Sequence, residues 1–163
     1  MRSRARALAV ALAGAIPLAA AAASSSLCAR EETAYFECAM ADGKRLAVCG
    51  ALPDRLQYRF GRPAAVELAY PAAPEEGPQA LLIAHYQRYR TDRLTLRFGR
   101  DGVGYTVFDH QENGHRRSGV EVKAADARVH ELVCAGRVVS RLGELVGVAA
   151  CDRESALNGG RCP

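Results

Sequence analysis

LQYRFGRPAAVELAY, residues 56 to 70, changes between apolar and polar side chains at nearly every step. Leu56, Tyr58 and Phe60 share one face, and Gln57 and Arg59 take the other. After Gly61-Arg62-Pro63 the order resumes, with Val66, Leu68 and Tyr70 set against Ala65, Glu67 and Ala69. A period of two puts one face on a core and the other in solvent, which is the pattern of half-buried strands. Upstream, FECAMADGKRLAVCG (36 to 50) reads as a hairpin of Tyr35–Cys38 and Leu46–Cys49. Downstream, PAAPEEGP (71 to 78) cannot continue a ladder because prolines lack donors, so it reads as an exposed loop. Strand character returns over 79–89, 94–98, 104–109, 119–123 and 129–134, with Thr91-Asp92, Gly99–Gly102 and Asn113-Gly114 as separators. Only Arg137 to Val146 suggests a short amphipathic helix, through Val138, Leu142 and Leu145. The expected fold is all-β, an antiparallel sandwich or barrel of about eight or nine strands with one short C-terminal helix. Residues 24–163 would form a single disulfide-stabilised domain.

Residues 1–23 carry Arg2, Arg4 and Arg6, then an apolar run from Ala7 to Ile16, then small residues. That order is the signature of a secretory signal peptide, with cleavage after Ala21-Ala22-Ala23. The apolar core is too short for a membrane span. Lipid anchoring at Cys28 would require a small residue before it, and Leu27 stands there, so plain export to the periplasm or medium is preferred. Of 22 Lys+Arg against 18 Asp+Glu, three arginines lie in this leader, which leaves 19 against 18. So small a balance gives no warrant for a nucleic-acid or anionic-membrane partner.

All six cysteines follow the leader, and an even count in an exported chain reads as disulfides. If Gly43-Lys44 is a type II′ loop, residue 42 faces 45 and Cys38 faces Cys49, with Asp42 opposite Arg45. For the remaining four, Cys134 with Cys151 and Cys28 with Cys162 are the expected pairs.

No catalytic constellation stands out, and no cofactor is implied. Ser118 and Ser140 have no nucleophile-elbow context. Glu67, Asp109, Glu121 and Glu131 sit on strands without a visible pairing. Asp109, His110, Glu112 and His115 fall in what reads as a polar hairpin loop, where metal binding or an enzymatic role is the alternative to a solvated turn. The richest charged feature is HYQRYRTDRLTLRFGRDG (85 to 102), with Arg88, Arg90, Arg93, Arg97 and Arg100 interleaved with Tyr86 and Tyr89. Arginine and tyrosine are enriched in binding hot spots, so Arg88 to Tyr105 is the candidate partner-binding segment.

The F-x-C…G-K…C stretch, the L-Q-Y-R-F-G segment, G-x-Y-T-V near Tyr105 and the run from Cys151 to Asn158 resemble a group of small exported proteobacterial proteins without an assigned activity. More loosely, a cysteine-stapled exported β-domain with an aromatic-x-Cys opening strand is similar to the periplasmic inhibitors of c-type lysozyme. That family is an eight-stranded barrel which blocks the enzyme with a Ser-Gly-x-x-Tyr loop. The resemblance would place Asp101, Gly102 and Tyr105 in that loop, with Asp101 where a serine hydroxyl should meet a catalytic carboxylate that an aspartate would repel. The expected function is an exported, non-enzymatic binding protein whose partner is a protein, with a cell-wall hydrolase as the first candidate. The alternative is an immunity protein against a toxin delivered to the periplasm.

Overall fold

The computed structural model describes residues 26–159, 161 and 162; the signal-peptide reading of residues 1–23 lies outside them. The chain is all-β. In order, the strands are β1 (Thr33–Ala39), β2 (Arg45–Ala51), β3 (Arg55–Arg62), β4 (Ala65–Tyr70), β5 (Leu82–Arg88), β6 (Thr91–Arg100), β7 (Val103–Glu112), β8 (His115–Lys123), β9 (Val129–Val133), β10 (Ala135–Ser140) and β11 (Ala150–Cys151). One short helix, α1 (Gly77–Ala80), follows a 3-10 turn at Pro74–Glu76 in the proline-rich loop. That helix takes Gln79 and Ala80, so the strand expected from 79 begins at Leu82.

The strands form two sheets, ordered β10-β1-β2-β3-β4 and β11-β5-β6-β7-β8-β9. Every neighbouring pair is antiparallel except β11 with β5. The alternation seen in the sequence meets across one core. Phe36, Leu46, Val48, Leu56 and Tyr58 come from the first sheet, and Leu94, Leu96, Phe98, Val107 and Val120 from the second. The β6–β7 and β7–β8 hairpins close through Asp101-Gly102 and Asn113-Gly114, and all four residues have positive φ, as type I′ turns require. The second sheet hands over to the first at a single residue, Cys134, between β9 and β10.

The expected cysteine pairs are all replaced. The bonds are Cys28–Cys49, Cys38–Cys134 and Cys151–Cys162. The reason lies in the first hairpin, whose connection is five residues long, with the Met40 N–H donating to Lys44 O at 2.8 Å. Cys38 therefore faces Leu46, three residues from Cys49. An odd shift of register reverses the face of every side chain. Cys38 turns into the core, while Cys49 packs outside with Leu27 and Ala47 and takes Cys28. Asp42 stays in the turn, where it accepts from the Lys44 N–H, and Arg45 donates to Glu37 instead.

The expected C-terminal helix is also corrected. Arg137 to Ser140 belong to β10, paired to β1, and Leu142–Leu145 form a 3-10 turn. Both leucines are buried, so their spacing reports a core contact made without an α-helix.

Candidate functional site

At one end of the sandwich the two sheets leave a cleft of about 550 Å³. Tyr58 and Phe60 of β3 and Leu68 of β4 form one wall, with Tyr105, Val120, Val122 and Leu132 of β7, β8 and β9 opposite. Its aromatic base joins the sheets. Phe98 stacks between Tyr70 (4.4 Å between centroids) and Tyr105 (4.8 Å), and Tyr58 tilts against Phe98 at 4.8 Å. Burial pushes the Tyr58 phenol up from its ordinary range, so it stays neutral.

The charges at the lip of the cleft compensate one another. Glu67 accepts from Lys44 at 2.8 Å, and the Lys44 ammonium lies 5.5 Å from the centre of the Phe60 ring. Arg100 donates to Asp101 at 3.2 Å. The arrangement is an apolar floor with a charge-paired rim, which favours an uncharged apolar group. A second hollow of about 280 Å³ adjoins it across Phe60 and Leu132, bounded by Met40, Ala41, Asp42, Glu131 and Val133.

The segment singled out in the sequence is divided by this geometry. Arg100, Asp101 and Tyr105 line the cleft, and Gly102 completes the turn at its lip. The other arginines lie elsewhere. Cross-strand pairing of β6 with β7 sets Arg93 opposite His110 and Arg97 opposite Thr106 on the outer face of the second sheet. There Arg93 donates to Glu112 at 2.7 Å, with Arg88 at 3.8 Å from the same carboxylate. Arg97 makes a bidentate pair with Asp152 and also reaches Glu154. The Arg97 hydrogen bonds hold the Asp152 carboxyl below the usual range against the opposing effect of burial. Arg90 stands exposed at the β5–β6 turn with φ 56°. The arginine-rich segment is therefore held in a set of ion pairs on this face, because Glu112, Asp152 and Glu154 are remote in sequence and adjacent in space.

The Asp109–His115 segment is not a loop. β7 runs to Glu112 and β8 starts at His115, leaving only Asn113-Gly114 as the turn. Asp109 points inward, where it accepts from Arg116 and Ser118, while His110 is on the outer face beside Arg93. Burial and the Arg93 charge lower the His110 pKa. Among the described residues no group of three or more His, Cys, Asp or Glu is placed to hold a metal ion.

Tyr58, Phe60, Leu68, Val120, Val122 and Leu132 line the cleft and were not singled out as site residues. Their alternation marks them as core-facing; Tyr58 and Val120 are buried at the base of the cleft, while Leu132 is exposed beside it. Compared with protein-family models, with curated proteins and with solved structures, the chain matches none.

Proposed function

We propose that this chain is an exported, non-enzymatic binding protein that seats an apolar group of a macromolecular partner in the cleft between its sheets. The cleft itself carries the reading. Its volume of about 550 Å³ lies in the range of ligand sites, and an apolar floor with a few polar groups at the edge is their usual chemistry. Three disulfides suit an oxidising compartment. No helix among the described residues is long and apolar enough to cross a membrane. The Asp101-Gly102 turn at the lip is also the segment that resembles the lysozyme-inhibitor loop, so a cell-wall hydrolase is the first partner to try.

Two measurements test this. Titration with 1-anilinonaphthalene-8-sulfonate should show one saturable site, lost in Leu68→Arg while the melting temperature holds. Absence of a saturable site overturns the cleft reading. Slower clearing of a cell-wall suspension by c-type lysozyme, in proportion to added protein, would support the hydrolase as partner; unchanged clearing removes that enzyme.

A further inference from the structure

We propose that the free edge of β9 receives an extended apolar strand of the partner polypeptide, which pairs with it main chain to main chain and sends alternate side chains into the cleft. The inference rests on the cleft reading above and names the form in which the partner arrives.

The argument starts from the phase of one ladder. The Cys134 N–H donates to Ser118 O at 2.9 Å, and Val120–Leu132 and Val122–His130 lie two and four residues further along the same register. In an antiparallel pair the hydrogen-bonded partners recur every second residue. Leu132 and His130 therefore turn their main-chain groups toward β8, and Val129, Glu131 and Val133 turn theirs away. β9 is the last strand of its sheet, and no hydrogen bond among the described residues reaches those outward groups.

Folded proteins blunt such an edge with proline, bulges, charge or a covering segment. β9 has no proline and pairs with β8 without a bulge, and its Glu131 carboxylate is drawn onto its own sheet by Arg117. Val129, Leu132 and Val133 are 56, 40 and 45 % exposed. A hollow lies beside the edge. Glu131, Leu132 and Val133 together form one side of the 280 Å³ hollow, with the β1–β2 turn across from them. A strand laid there would have every second side chain on the Leu132 face, which lines the larger cleft. Main-chain bonds for affinity with pockets for alternate side chains for selectivity is the chemistry of strand addition.

A second copy of this chain fits less well. The one antiparallel register that pairs all five residues of two β9 strands sets Glu131 against Glu131, a like-charge pair directly opposed. The occupant is a foreign segment, extended and uncharged on the face that enters the cleft.

The probe is a fluorescent octapeptide of alternating valine and threonine with a lysine at each end. The expected result is saturable binding, weakened at least tenfold by N-methylation of the amides on one edge of the peptide and unchanged by methylation of the other edge. Amide exchange at Glu131 and Val133 should slow on binding. Glu131→Pro should weaken binding at least tenfold, because it removes an outward N–H that the β8 ladder does not use. Glu131→Ala, which keeps that N–H, separates its loss from loss of the Arg117 contact and should bind at least tenfold more tightly than Glu131→Pro, with the melting temperature of both variants recorded. Peptide binding indifferent to methylation, or failure to bind while anilinonaphthalene sulfonate still fills the cleft, overturns strand addition and leaves the cleft reading standing. Loss of the dye site itself removes both. Protection at Glu131 and Val133 that grows with protein concentration in the absence of peptide would assign the edge to a second copy and overturn the proposal.

Discussion

Asp109 shows how one buried carboxylate organises a strand end. It sits on β7, 6 % exposed, and accepts two hydrogen bonds from Arg116 at 2.8 Å and one from Ser118 at 2.7 Å. Burial alone would raise its pKa, but the bonds from Arg116, Ser140 and Ser118 outweigh it and the net shift is downward from 3.8. A carboxyl whose folded pKa is depressed stabilises the fold above its unfolded pKa and loses that contribution as pH falls through the folded one. Stability to urea should therefore be flat above pH 5 at this residue and decline below its ordinary value. Asp109→Ala should cost about 2 kcal/mol at neutral pH, less than a fully buried pair because Arg116 is partly solvated. The same variant should show a shallower loss between neutral pH and acid, and an unchanged slope would mean the charge is not held as described. Strand geometry counts against the alternative in which Asp109 and His110 hold one metal ion. Adjacent strand residues point to opposite faces, so the two side chains never share a site.

At the scale of the element, the turns separate what was legible from what was not. Asp101-Gly102 and Asn113-Gly114 tolerate the left-handed region and could be recognised as hairpin turns from residue type alone. The β1–β2 connection contains the same Asp-Gly pair, yet closes over Met40–Lys44, and residue type does not fix loop length. That single uncertainty carried through to the disulfides. Cys38–Cys134 joins β1 to the crossing point between the sheets across 96 residues of chain, against 21 for Cys28–Cys49 and 11 for Cys151–Cys162. Chain entropy ranks the bond over the longest loop highest, at about 4.7 kcal/mol, with the shorter two nearer 3. Paired Cys→Ala variants followed by thermal melting should reproduce that order, and the tail bond dominating would refute it. Gly119 offers a separate test of strand spacing. A Cβ there would lie 2.1 Å from Leu132 O, a main-chain atom of β9 that cannot move aside. Gly119→Ala should cost about 2 kcal/mol through overpacking, read as a lowered urea midpoint.

For the whole molecule, fold class follows from local pattern while the cleft follows from how two patterned sheets diverge. Each strand announces its apolar face through Leu56, Tyr58, Leu96, Phe98 or Val120, and any chain with such strands must bury those faces against one another. Which end of the shared core remains open depends on sheet twist and on the β9-to-β10 crossing at Cys134, and neither is written in any local window. Arg100, Asp101, Gly102 and Tyr105 could be grouped because they are neighbours in the chain. Leu68, Val122 and Leu132 join them from three strands only in space. Space inside a protein is costly when it is closed and dry, because lining atoms lose contacts; an open cleft can instead be filled by a ligand. Val122→Phe separates the two cases, since it adds a ring to a wall of the cleft directly across from Tyr105. If the cleft is a ligand seat, the variant should melt at or slightly above the parent temperature while anilinonaphthalene sulfonate binding falls at least tenfold. A clear drop in melting temperature would mean that the walls already meet in solution, and would overturn the cleft as a ligand seat.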